Sequence, residues 1–182
     1  MLATAKHFAG YGAVSGGRDY EEAAIAETDL WNVYLPPFRA AIDAGVASVM
    51  SAYMELNAVP ASANRWLMKD VLRDALGFRG ITISDAYAIG SLLNQGVAAD
   101  ETEAAVLAIN AGVAVDMDSG IYTAELPKLV ADGKVAERDV DALVLPILEA
   151  KFRLGLFEHP YPDESRVDAV LTGMGTVLAD DP

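Results

Sequence analysis

Gly80-Ile81-Thr82-Ile83-Ser84-Asp85 decides how this chain is read. A glycine turn opens the segment, β-branched side chains fill it, and a carboxylate closes it. β-Branched residues are stiff at χ1 and pack well on a pleated surface, so residues 81–84 predict a short buried strand. Upstream, residues 46–53 (VASVMSAY) and 2–8 (LATAKHF) have the same form. Each is a short apolar run ending in a polar side chain, Tyr53 in one case and Lys6-His7 in the other. Downstream, residues 113–117 form a fourth run, with Asp116 and Asp118 at its end.

Helical patterns fill the intervals. Residues 28–44 are amphipathic, with a break expected at Pro36-Pro37 and a stop at Gly45. Residues 64–75 follow, with Asn64 as N-cap. Residues 87–95 and 100–111 lead into the fourth strand, and residues 123–131 and 137–154 come after it, with Gly133 in the turn between.

Strands that alternate with helices imply a parallel sheet covered by helices. A doubly wound open sheet and a piece of a (β/α)₈ barrel compete. The dinucleotide-binding version of the open sheet needs closely spaced glycines that directly open a helix. Here Gly10, Gly12, Gly16 and Gly17 are spread along a loop, and the helix begins well after them. A whole barrel takes about 250 residues, and four βα units are half of its eight. The reading is therefore α/β, half of a (β/α)₈ barrel over residues 1–154. Residues 155–182 read as a linker, Pro-rich and aromatic at 157–163 and without period from 171 onward. The first residues have neither a charged leader nor a hydrophobic core of signal length, so the chain reads as cut from something longer.

Composition narrows the function. Among 182 residues, 27 are acidic and 13 basic, a net charge of −14. That balance argues against nucleic acid or an anionic membrane as partner. The absence of cysteine excludes disulfides, thiolate nucleophiles and Cys-based metal sites. The only histidines are His7 and His159, so no zinc-binding spacing exists, and no G-x-S-x-G elbow is present.

In parallel α/β folds, chemistry gathers at the C-terminal ends of the strands. Those ends carry Lys6-His7, Tyr53, Asp85, and Asp116 with Asp118. The steps from Tyr53 to Asp85 and on to Asp116 are 32 and 31 residues, one βα unit each. Each residue also has a plainer reading. Lys6-His7 could be a surface pair, Tyr53 a core aromatic, Asp85 a helix cap, and the later aspartates caps or loop residues. Together, donors for neutral hydroxyls and a carboxylate able to attack an anomeric carbon suit carbohydrate chemistry.

Lys6-His7-Phe8-Ala9, Gly16-Gly17-Arg18-Asp19-Tyr20, Tyr34-Leu35-Pro36-Pro37-Phe38, Ser48-Val49-Met50-Ser51-Ala52-Tyr53 and Ile81-Thr82-Ile83-Ser84-Asp85 are similar, in order, to motifs of glycoside hydrolase family 3. Lys151-Phe152-Arg153-Leu154-Gly155-Leu156-Phe157 resembles the end of that family's barrel domain. The similarity is strongest to bacterial β-glucosidases of the periplasmic type. It implies the C-terminal half of the N-terminal barrel, with the linker leading to a second α/β domain. It also implies a retaining mechanism through a covalent glycosyl-aspartate intermediate, without metal or organic cofactor. Asp85 matches the nucleophile, Lys6 and His7 the pair that holds glycone hydroxyls, and Met50 and Tyr53 positions lining the same subsite.

The departures matter. Many members carry Trp after the nucleophile, where this chain has Ala86. The family's Asn-x-x-Asn-Gly reads Met54-Glu55-Leu56-Asn57-Ala58, and Ala9-Gly10-Tyr11 argues against the N-acetylglucosaminidase branch. The first barrel half and the second domain, source of the acid/base Glu, are expected to lie outside this chain. The isolated chain is therefore expected to be inactive. Its end strands, residues 2–8 and 113–117, are expected to expose edges through which two copies pair. β-Xylosidase is the alternative within the family, and a non-catalytic sugar-binding half-barrel the alternative outside enzymes. The resemblance implies a periplasmic or secreted setting.

Overall fold

The apolar runs pair in parallel. β1 (Thr4–Phe8), β2 (Ser48–Ser51) and β5 (Ile81–Ile83) form a three-stranded sheet in the order β1-β2-β5. Ser48 faces both Thr4 and Ile81 in register, and Met50 faces Ile83. The computed structural model describes residues 2–161 with Glu164, Val167 and Asp168. The backbone divides into two compact units, Met1–Leu148 and Glu149–Pro182.

The expected fourth strand is reduced to a single bridge, Ile83 to Val115. Two hydroxyls join the pairing beside main-chain bonds from the Ala114 and Val115 N–H groups to the Thr82 carbonyl at 3.0 and 3.1 Å. Thr82 Oγ1 accepts from the Ala114 N–H at 3.2 Å and Ser84 Oγ from the Met117 N–H at 2.9 Å. Side chains thus share the ladder's hydrogen bonding, and the segment follows β5 without adopting regular strand geometry.

Helices follow the sequence signals closely. A short helix α1 (Glu27–Asp29) and a π turn (Leu30–Tyr34) precede α2 (Pro36–Asp43), which begins on its two prolines where the missing N–H costs nothing. Gly45 ends it in the left-handed conformation, φ 84°. Asn64 Oδ1 accepts from the Leu67 N–H at 3.0 Å, opening the wide helix Trp66–Ala75. That helix buries Leu67, Met68, Val71 and Leu72 along one face. α4 (Glu101–Ala111) starts on a reciprocal cap. Asp100 accepts the Glu103 N–H, and the Glu103 carboxylate accepts the Ala99 N–H, both at 2.8 Å. α5 (Ile121–Ala131) and α6 (Glu137–Arg153) match the remaining patterns.

Two stretches differ from expectation. Residues 87–95 hold only α3 (Ser91–Asn94), because Tyr87 adopts φ 59° and interrupts the helix before it starts. The loop after Tyr53 contains a hairpin, β3 (Glu55–Leu56) with β4 (Val59–Pro60). Its corner residues Asn57 and Ala58 lie at φ 52° and 65°, the geometry of a two-residue primed turn. Asn57 also clamps Ile25, accepting its N–H at 2.8 Å and donating to its carbonyl at 2.9 Å. A sequence with Ala in place of Gly conceals this turn.

In the second unit, Arg153 donates to Glu149 at 2.8 Å and the Phe152 and Phe157 rings stand 4.4 Å apart. Most of the segment read as a linker, including residues 171–182, lies outside the described residues.

Two backbone positions make opposite predictions. A methyl on Gly80 would fall 2.3 Å from the Ala47 carbonyl oxygen, which the sheet holds in place. Gly80→Ala should lower stability by about 1–3 kcal/mol. Ala58→Gly should raise it by about 0.5–1 kcal/mol, the relief of left-handed strain outweighing the entropy gained by the unfolded chain. Urea unfolding of both variants measures the two signs.

Candidate active site

Asp85 follows β5 after one intervening residue, Ser84, and is buried, with 8 % of its surface exposed. Its two oxygens differ. Oδ1 accepts the Ala86 N–H at 2.8 Å, a local bond that fixes the carboxylate plane. Oδ2 is buried without a hydrogen-bond partner. His7 Nε2 stands 3.3 Å from it, within ion-pair range but without hydrogen-bond alignment. A buried carboxylate oxygen left open is costly, and one lying beside a histidine is free to accept from, or attack, an incoming group.

His7 belongs to β1, and its ring lies 5.1 Å from that of Tyr11. Tyr11 donates to Asp19 Oδ1 at 2.6 Å; burial and this bond push its hydroxyl pKa upward. Tyr53 stands past the end of β2, its ring 4.7 Å from Tyr20. Burial, then the charge of Asp85 and the nearby Tyr20, push the Tyr53 hydroxyl up to about 12. Tyr53 therefore stays a neutral donor at any physiological pH. Met50 lies buried in β2 opposite Ile83, two residues before Asp85.

The residues singled out in the sequence are thus distributed unevenly. His7, Tyr53 and Asp85 share one electrostatic neighbourhood, and Met50 lies in the adjoining strand. Lys6 is exposed on β1, and among the described residues its ammonium makes no hydrogen bond or ion pair. Asp116 has a structural task, accepting from Ser119 Oγ at 2.6 Å and the Tyr122 N–H at 3.1 Å in the first turn of α5. Among the described residues, no cluster of three His, Asp or Glu side chains could hold a metal.

Beside Asp85 opens a cavity of about 470 Å³, lined by Tyr20, Tyr53, Glu55, Ala86, Tyr87 and Gln95. Gln95 donates to the Tyr53 carbonyl at 3.0 Å, fixing one wall. Tyr20 and Tyr87 are both left-handed, φ 69° and 59°, and both are largely exposed. The sequence pattern marks neither of them, nor Tyr11, as a site residue. The available signal was tyrosine inside glycine-bearing loops next to strand ends, and positive φ cannot be read from a non-glycine residue.

A family model described as the glycosyl hydrolase family 3 N-terminal domain matches residues 1–150. The chain belongs to glycosyl hydrolase family 3. Over 161 residues it is 44% identical to a periplasmic β-glucosidase of Salmonella typhimurium, covering 88% of this chain and 21% of that protein. A β-xylosidase of Formosa agariphila is 38% identical over 182 residues, covering 95% of this chain and 25% of that protein. The crystal structure of a Listeria innocua β-glucosidase superposes with a TM-score of 0.91 at 40% identity, over 96% of this chain and 24% of that one. The same enzyme solved with glucose superposes at 0.86, with 42% identity over 88% of this chain and 22% of that one. The chain thus spans between a fifth and a quarter of these relatives, and its sheet is part of a family 3 barrel.

Tyr53 offers a pH test of this environment. Its raised pKa favours the neutral phenol in the fold, a stabilisation complete below the unfolded value near 10 and lost as pH rises through about 12. Absorbance titration of the protein against Tyr53→Phe should show the missing ionisation near pH 12. A difference centred near pH 10 would contradict the burial described.

Proposed function

We propose that this chain carries the nucleophile of a retaining β-glucosidase, within residues 1–154 of a half-barrel followed by a linker over residues 155–182. The observation that supports it most is the buried, unpartnered Oδ2 of Asp85 beside His7. In this reading Oδ2 attacks the anomeric carbon as the bond to the aglycone oxygen breaks, giving a glycosyl-aspartate ester. Water then cleaves that ester, with net retention. Lys6 and His7 hold glycone hydroxyls, while Met50 and Tyr53 line the same subsite. No cofactor enters.

Retaining enzymes place their two carboxyl groups about 5–5.5 Å apart. Among the described residues no second carboxylate is bonded to Asp85, and Asp19 is engaged by Tyr11. The acid that protonates the leaving oxygen is proposed to come from a second α/β domain, and further glycone contacts from the first barrel half. The substrate is a terminal non-reducing β-D-glucosyl residue, and the setting periplasmic or secreted, as the name of the Salmonella relative supports. The Formosa relative favours β-xyloside cleavage as the second reading. A half-barrel that binds sugars without cleaving them is the outcome that remains if no turnover is found. β1 lies at the sheet edge, and we propose that two copies of the isolated chain pair through such edges.

The decisive experiment removes the need for an acid. A 2-deoxy-2-fluoroglucoside with a good leaving group should esterify Asp85 in the isolated chain, seen as a mass increase on its peptide. Labelling of another carboxylate overturns the assignment. On unactivated cellobiose the isolated chain should be inactive, since general acid catalysis alone contributes about 10²–10⁴-fold. In a longer protein containing this segment, Asp85→Asn should cut kcat by on the order of 10⁴-fold or more. The ratio of kcat/KM for aryl β-glucoside over aryl β-xyloside separates the two substrate readings. Sedimentation of the isolated chain at low micromolar concentration should give a dimer.

A further inference from the structure

Gly80 and Asp85 bracket β5, and five extended steps along the chain separate them by about 16 Å. At the Gly80 end, away from the carboxylate, lies a second cavity of about 370 Å³. We propose that this cavity binds a tetrahedral oxyanion, phosphate or the phosphate group of a small ester. Four cations line it, Arg65, Lys69, Arg73 and Arg79, of the 13 in a chain of net charge −14. Asp74 and Asp139 also line it, so the lining side chains carry 4 − 2 = +2, and the wall stays net positive with Asp70 held on Arg65.

Among the described residues, Arg73, Arg79 and Lys69 form no ion pair with a carboxylate. Arg73 donates to the carbonyls of Phe78 and Gly80 at 3.3 and 2.6 Å and to Thr82 Oγ1 at 3.3 Å. Arg79 Nη1 donates to the carbonyls of Arg73 and Phe78 at 2.6 and 3.1 Å. Every one of these acceptors is neutral. Capping the end of a helix accounts for those bonds, but it leaves Arg79 Nη2 and Lys69 Nζ without a hydrogen-bond partner among the described residues. Arg65 is held by Asp70 at 3.2 Å. Burial and the neighbouring Arg79 depress the Arg73 pKa to about 10, the direction expected where two guanidiniums face each other without an anion. Ile109, Leu143 and Pro146 supply an apolar wall that strengthens charge interactions within. Fork-shaped guanidinium donors with one ammonium suit an oxyanion that accepts from several directions. The site is independent of the reaction at Asp85.

Calorimetric titration of the 182-residue chain with sodium phosphate, at ionic strength held constant with chloride, tests the proposal. One saturable site per chain is expected. Arg79→Gln and Lys69→Gln should each weaken it roughly tenfold. Arg18→Gln, which removes a cation paired with Glu21 on another surface, should leave it unchanged. Glycerol phosphate binding more tightly than phosphate identifies an organic ester as the ligand; equal binding identifies the free anion. No saturable phosphate binding by about 20 mM overturns the proposal, as does equal weakening by Arg18→Gln, which would mark the heat as bulk charge screening.

Discussion

Thr82 Oγ1 is fully buried and uses its whole bonding capacity. It donates to the Gly112 carbonyl at 2.6 Å and accepts from the Ala114 N–H and from Arg73 at 3.2 and 3.3 Å. Three separate pieces of chain meet at that one atom: the helix Trp66–Ala75, β5, and the turn leaving α4. Valine has nearly the same shape but would remove the bonds to the Gly112 carbonyl and from Arg73, while the Ala114 N–H would keep its 3.0 Å bond to the Thr82 carbonyl. Because Thr82 fixes the middle of β5, Asp85 three residues later is held in a defined place. Ser84 repeats the device one step on, accepting from Met117.

The order of elements was legible because it rests on short-range physics. Pro36-Pro37, Asn64 and the glycines after helices each act within a few residues, and each works as its chemistry requires. The same short-range signals predict a full fourth strand where the structure has a single bridge. Residues 113–117 have the composition of a strand, but pairing is settled by what stands opposite, and the hydroxyls of Thr82 and Ser84 lie 30 or more residues away in sequence. The hairpin at Asn57-Ala58 was hidden because alanine occupies a position that glycine normally signals.

At the candidate site, the strand ends gave the location and the family motifs gave the candidate residues. Neither source could say that Asp85 has one satisfied and one open oxygen, since that asymmetry comes from Ala86 and His7 in three dimensions. Nor could they indicate Tyr20 and Tyr87 beside Tyr53 at the mouth. Tyr20 and Tyr87 reach it through left-handed backbones that their residue type disfavours. Their rings flank Ala86, where a larger aromatic is common in the family, so the wall of the cavity is built from neighbours instead of from the residue after the carboxylate.

The distribution of charge along β5 has a consequence for molecular traffic. With four cations gathered near Gly80, the remainder of the chain is more acidic than its net −14 indicates, and Asp85, Asp19 and Glu55 belong to the other end. A field of this shape sorts molecules before contact. Acidic surroundings oppose the approach of anionic chains and leave neutral ones unhindered. On the reading proposed above, selection by charge at a distance would precede any hydrogen bond to a sugar hydroxyl.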